Sequence, residues 1–166
     1  MTDFVAELYA LYRDSLIRML TRRTGDRDRA EELTQEVFAR AVAAPPRNPR
    51  PWLFAVALNL VREEGRRSVR QGRRLELYRG EMPTATESPD DELIRDERVA
   101  GVRTALATLS ERDREVLLLQ AEGMNYDEIA ATIGLTKGAI GTTLARARRR
   151  LVEAYRAKEG QNHVAS

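Results

Sequence analysis

The sequence has no cysteine and a single histidine, His163, close to its C-terminal end. Disulfides, thiolate metal sites and cysteine nucleophiles are thereby excluded. No metal-ligand cluster or glycine-rich phosphate loop is present either, so neither an enzyme nor a cofactor is expected. Aromatic residues make up only 5% of the chain, and strand-favouring runs of Val, Ile, Thr and Tyr are missing. Ala, Leu, Arg and Glu dominate instead, which favours helix by intrinsic propensity. No apolar run approaches the length of a membrane span. Near the start, Asp3 and Glu7 stand where a signal peptide needs a basic segment. The expectation is an all-α protein of the cytoplasm.

Charge is nearly balanced overall, at +2, but it is unevenly placed. Six arginines (62, 66, 67, 70, 73 and 74) face only Glu63 and Glu64 in their stretch. Five acids (81, 87, 90, 91 and 92) then follow without a base. Arg146, Arg148, Arg149 and Arg150 form a second basic run. Two basic blocks on either side of an acidic connector suggest two surfaces that meet a polyanion.

Apolar residues at helical spacing predict a first helix over residues 2–23, closed by Gly25, and a second over residues 28–43. The proline-rich stretch from Pro45 to Pro51 cannot be helical in its interior. Pro51 suits the first turn of a third helix, with Trp52, Leu53, Val56, Ala57 and Leu60 on its apolar stripe. Trp52 belongs to the core by that placement. Gly80, Pro83, Ser88 and Pro89 among acids read as a flexible linker. Helices resume over residues 93–108. Ser110 starts another, with Asp113 three residues on as in a capping box, and Gly123 ends it.

Tyr126 to Ile133, then Gly134 and Leu135, then a long helix from about residue 136 have the form of a helix-turn-helix. Ile129, Ala130 and Ile133 point inward, Gly134 permits the tight turn, and Leu135 plugs the corner. At about 100° per residue, Ile140, Leu144, Ala147 and Leu151 form one stripe. Gly138, Thr142, Ala145, Arg146 and Arg149 lie opposite. The second face is small, polar and basic, as a helix entering the major groove requires.

Two blocks of residues resemble a known family. Leu109-Ser110-Glu111-Arg112-Asp113-Arg114-Glu115-Val116-Leu117-Leu118-Leu119, followed by Glu122-Gly123-Met124-Asn125-Tyr126-Asp127-Glu128-Ile129-Ala130, resembles region 4 of the sigma-70 superfamily. Gly25-Asp26-Arg27-Asp28-Arg29-Ala30-Glu31-Glu32-Leu33-Thr34-Gln35-Glu36-Val37-Phe38 is similar to region 2.2, and the segment from Pro51 to Leu60 to regions 2.3 and 2.4. Both blocks in this order resemble the extracytoplasmic-function (ECF) group of RNA polymerase sigma factors. The implied organisation is region 2 over residues 1–75, a linker over 76–95, region 4 over 96–157 and a polar tail over 158–166.

The resemblance implies a factor that binds core RNA polymerase and directs promoter-specific initiation. It places Glu32, Thr34, Gln35 and Glu36 against the clamp helices of the beta-prime subunit, with the beta subunit as a further contact. It assigns the minus-ten element to Arg47, Asn48 and Arg50 in the proline loop and to Asn59, Arg62, Arg66 and Arg67 on the helix. The minus-thirty-five element falls to Lys137, Gly138, Thr142, Arg146, Arg149 and Arg150. Among these, Thr142 and Arg146 are the base-edge candidates, and Lys137, Arg149 and Arg150 face phosphates. An anti-sigma factor is an implied candidate partner. The chain departs from the family in one place. Where Lys or Arg, then Ser, then Arg is common, it has Gly141, Thr142 and Thr143, and Gly141 is expected to admit a close backbone approach to DNA. The competing reading is a stand-alone dimeric helix-turn-helix regulator, which would not need the acidic helix or proline loop of the first half.

Overall fold

The computed structural model describes the backbone of residues 2–75 and 90–164, and within these the side chains of residues 3–67 and 97–161. Every element there is helical: α1 (Thr2–Thr24), α2 (Arg27–Ala43), α3 (Pro49–Leu75), α4 (Asp90–Ala107), α5 (Glu111–Ala121), α6 (Tyr126–Ile133) and α7 (Lys137–Val164). The expected linker residues 76–89 lie outside the described residues.

In the first domain Gly25 adopts φ +76°, the left-handed region that ends α1. Its N–H donates to the Thr21 carbonyl at 2.7 Å. Asp26 then caps α2, its carboxylate accepting the Arg29 N–H at 3.1 Å. With so short a connection, α2 folds back along α1. Leu8, Leu16, Met19 and Leu20 of α1 are buried with Ala30, Leu33, Val37, Phe38 and Ala41 of α2. Leu53, Phe54, Ala57, Leu58 and Val61 of α3 complete this core. Trp52 packs against it, half-buried, as its stripe position implies.

The start of α3 corrects the expected boundary. The helix begins at Pro49, so Arg50 sits in its first turn and only Arg47 and Asn48 remain in the loop. First-turn N–H groups have no intrahelical acceptor, so prolines at 49 and 51 remove nothing the helix uses.

In the second domain the Ser110 side chain accepts the Asp113 N–H at 3.2 Å. The expected box is only half made, because the Asp113 carboxylate is drawn instead to arginines of α7. The complete capping box belongs to α6. Asn125 accepts from Glu128 N–H at 2.9 Å while the Glu128 carboxylate accepts the Asn125 N–H at 3.1 Å. Gly134 has φ +74° and makes the turn. Both its N–H and that of Leu135 return to the Ala130 carbonyl.

Two further boundaries shift. Residues 90–95, assigned to the linker, belong to α4, and residues 158–164, assigned to a polar tail, continue α7. The two domains also pack on each other, α3 against α6 and α1 against α5, under one continuous apolar core.

Two glycines separate backbone need from side-chain space. Gly134→Ala should destabilise by about 1–2 kcal/mol, because a Cβ is strained at positive φ. Gly65→Ala should stabilise by about 0.5–1 kcal/mol, since Gly65 is helical and exposed, and a methyl added there would meet nothing within 4 Å. Denaturant unfolding of both variants checks the opposite signs.

Candidate nucleic-acid interface

The turn at Gly134 brings α7 across α6 with Ile140, Thr143, Leu144 and Ala147 buried. Thr143 spends its hydroxyl on the Ala139 carbonyl at 2.7 Å. Gly138, Thr142, Ala145 and Arg149 remain exposed, along with Lys137, whose ammonium is 3.5 Å from Asp127. Gly141 does not face outward as expected. It is half-buried beside Tyr126, and a Cβ there would lie 3.5 Å from that ring, an ordinary van der Waals contact, so the packing of α6 on α7 does not itself require glycine.

Arg146 and Arg150, both assigned to the DNA face, converge on Asp113. The Arg146 Nη2 donates to Oδ1 at 2.8 Å and the Arg150 Nη1 to Oδ2 at 2.9 Å. Asp113 is completely buried, while the two arginine side chains stay 39% and 50% exposed. Both side chains thus keep part of their surface in solvent, although the Arg146 Nε is itself buried without a partner. Burial by itself would raise the Asp113 carboxyl, but the hydrogen bonds and charge of the two arginines outweigh it and hold the group below the usual aspartate range.

In the first domain Glu32, Gln35 and Glu36 share the exposed face of α2. Arg29 joins this surface, pairing with Glu32 at 2.5 Å and with Glu64 of α3. Thr34 corrects the assignment. It is 2% exposed and donates to the Ala30 carbonyl at 2.7 Å, so it belongs to the core and not to the α2 surface. Arg47, Asn48, Asn59, Arg66 and Arg67 are exposed.

Arg50 and Arg62 are held by the second domain. The Arg62 guanidinium grips the Glu115 carboxylate with two bonds, at 2.8 and 2.5 Å, and also reaches Glu111 at 3.4 Å. The hydrogen bonding to Glu115 keeps Arg62 more firmly protonated than usual. Arg50 donates to the Glu122 carbonyl at 2.5 Å and to the Glu128 carboxylate at 3.3 Å. The sequence reading does not single out Asp113, Glu115, Glu122 or Glu128 as arginine partners. A signal for two of them is present, since Asp113 and Glu115 flank the apolar positions of α5.

The depressed Asp113 carboxyl fixes the sign of one acid effect. Its contribution is fully present above the unfolded aspartate value of about pH 4 and is lost as pH falls through the lower folded value. Asp113→Asn should lower stability at neutral pH, and its deficit relative to wild type should shrink as pH drops below about 4. Denaturant unfolding at neutral and acid pH measures this, and a deficit that does not shrink would count against an ionised Asp113.

Models of two protein families match the chain: Sigma-70 region 2 over residues 8–71, and Sigma-70, region 4 over residues 100–151. Among curated relatives, the ECF RNA polymerase sigma factor ShbA of Streptomyces griseus is 32% identical over 163 residues, covering 90% of this chain and 84% of that protein. The ECF sigma factor BldN of Streptomyces coelicolor is 33% identical over 159 residues, and the match spans only 59% of its length. RNA polymerase sigma factor YlaC of Bacillus subtilis is 28% identical, covering 88% of each chain. Among solved structures, the sigma factor RpoE of Bartonella quintana, in complex with the anti-sigma factor NepR, matches with a TM-score of 0.65 at 27% identity. That match covers 94% of this chain and 98% of RpoE. The chain belongs to the extracytoplasmic-function group of the sigma-70 family of RNA polymerase sigma factors.

Proposed function

We propose that this chain is an alternative sigma factor that binds core RNA polymerase and directs initiation at promoters with its own minus-ten and minus-thirty-five elements. The observation that carries the reading is the pairing, in one chain, of a helix-turn-helix with a first domain whose exposed acidic α2 face and proline-led α3 a simple repressor does not need. Glu32, Gln35 and Glu36 supply the surface for the beta-prime clamp helices. Arg47, Asn48, Asn59, Arg66 and Arg67, with Arg50 and Arg62 once released, supply the surface for the minus-ten strand. Single-stranded bases are held by pockets and stacking while arginines hold phosphates. The prolines flanking Arg47 and Asn48 restrict the loop, so less order is lost when it captures a base.

On α7, Lys137 and Arg149 face phosphates, Gly138 lets the backbone come close, and Thr142 reaches base edges. Arg146 and Arg150 present the donor edges that Asp113 leaves open. A guanidinium already oriented by a carboxylate loses less freedom on meeting guanine than a free one. The chain acts without catalytic chemistry of its own, in the cytoplasm, where polymerase and promoters are. No described helix is long and apolar enough to cross a membrane. RpoE, the solved relative, is seen with an anti-sigma factor, and a protein of that class is proposed as a further partner here.

Reconstitution with cognate core polymerase on genomic DNA should yield discrete start sites that neither component gives alone. Absence of such starts, or a stable free dimer with its own operator, would overturn the reading. Arg149→Ala should weaken upstream-element binding across all sequences and reduce the salt slope by about one. Arg146→Ala should instead relax base preference, by roughly tenfold or more. Binding isotherms over a range of salt and base substitutions separate the two.

A further inference from the structure

Within the second domain, two arginines of α7 end on one carboxylate that has no access to water. Asp113 is completely buried in the first turn of α5. Its backbone N–H is held by the Ser110 side chain at 3.2 Å, and buried Val116 and Leu119 anchor the turn that follows. Aspartate has few side-chain torsions, so a carboxylate enclosed in this way is a fixed post. Arg146 and Arg150 stand four residues apart on α7 and so share a face. Each takes a different oxygen, Oδ1 at 2.8 Å and Oδ2 at 2.9 Å, so the two do not compete. A guanidinium carries five N–H groups. In Arg146 one of those on Nη2 is given to Asp113, and the Nε is buried without a partner. The donors that remain lie on the two terminal nitrogens of a side chain that is 39% exposed. A guanidinium tied at Nη2 and enclosed at Nε has little freedom to turn. Arg149 is exposed and, among the described residues, has no acidic partner to restrain it.

We infer that Asp113 is a positioning residue for the upstream element: buried and out of reach of DNA, it sets how sharply Arg146 chooses a base. Its geometry stands by itself, while its consequence rests on the sigma reading proposed above. Bidentate reading of guanine needs two donors aimed at O6 and N7 together. A mobile arginine must give up side-chain freedom to reach that geometry, and one already held gives up less. The carboxylate also offsets one positive charge of the Arg146–Arg150 pair, which weakens attraction to phosphates of any sequence. One buried group thus raises selectivity and lowers non-selective attraction at the same time. Its removal should move the two in opposite directions, which a merely structural role does not.

Holoenzyme reconstituted from the full chain and cognate core polymerase can be tested on promoters randomised across the upstream element. Wild type should prefer one base pair at the position where Arg146→Ala abolishes choice. Asp113→Asn, with its helix content intact by circular dichroism, should flatten choice there by roughly tenfold and leave the other positions unchanged. Its binding should depend more steeply on salt, by about one unit of slope, as the arginines recover their full charge. On the Arg146→Ala background the same substitution should remove no further preference at that position. Unchanged preference in Asp113→Asn, equal loss at every position, or additive loss in the double variant would overturn the positioning role. Should Asp113→Asn lose helix content, the free wild-type chain decides through NMR of its arginine Nε–H groups. The Arg146 signal, identified by its disappearance in Arg146→Lys, should exchange with water severalfold more slowly than that of Arg149. Exchange as fast as that of Arg149 rejects the role. A wild-type holoenzyme without any upstream preference, its Arg146 signal still slow to exchange, would fault the sigma reading instead.

Discussion

Helix α5 and the turn after it carry three carboxylates that their neighbours must neutralise, and the arrangement of the whole chain follows from how they do so. Asp113 looks along the second domain and takes Arg146 and Arg150 of α7. Glu115 looks across to Arg62 of α3, and Glu122, just past the helix end, to Arg18 and Arg22 of α1. An ionised carboxylate removed from water loses several kcal/mol of hydration, which only well-aligned cations restore. The first pairing fixes α7 within its domain. The other two fix the domains to each other. The helix between Val116 and Leu119 contributes apolar burial on the same side, so charge and packing constrain α5 together.

These pairings differ in what they permit. Asp113 is enclosed by elements of one domain, and its arginines remain partly exposed, so holding them is compatible with their meeting DNA. Glu115 and Glu122 are enclosed only while two domains are in contact, and Arg62 in that state is committed along one guanidinium edge. An arginine oriented by its own domain is prepared for a ligand. The same chemistry, a guanidinium on a carboxylate, thus orders a helix within its own domain in one place and joins two domains in another. Which effect results depends only on whether the acid and the base share a rigid body.

Much of this is legible in the sequence where a residue's role is local. Gly25, Gly123 and Gly134 mark helix ends by a conformation that only glycine adopts easily, and all three have positive φ. Periodicity places Ile140, Leu144 and Ala147 in the core, and the Ser110 cap forms as its type implies. Local signals also mislead where two rules overlap. Prolines suggest a loop up to residue 51, yet the first turn of a helix has no use for their missing donors, so α3 starts at Pro49. Thr34 lies among polar neighbours in the sequence, but threonine can satisfy its hydroxyl on the preceding turn and bury itself. The Asn125–Glu128 box is readable from its spacing, although the turn that follows it is the more conspicuous signal. The acid–arginine pairs are of another kind. Glu115 and Arg62 are 53 residues apart, and no periodicity within either helix indicates that they meet.

The unusual segment Gly141-Thr142-Thr143 looks different once its geometry is known. Gly141 lies beside Tyr126, and Thr143 turns inward to the Ala139 carbonyl, so Thr142 alone of the three is fully exposed. Of the three, Thr143 belongs to the packing of α7 and Gly141 borders it. The segment's electrostatic consequence remains, because Asp113 offsets one of the charges that Arg146 and Arg150 bring to this surface. Phosphate attraction scales with the number of cations presented. Arg148 and Arg149 are exposed on α7 with no acidic partner among the described residues, while Arg62 of α3 is taken up by Glu115. Packing of the two domains therefore subtracts a cation from α3 and leaves those of α7 in place.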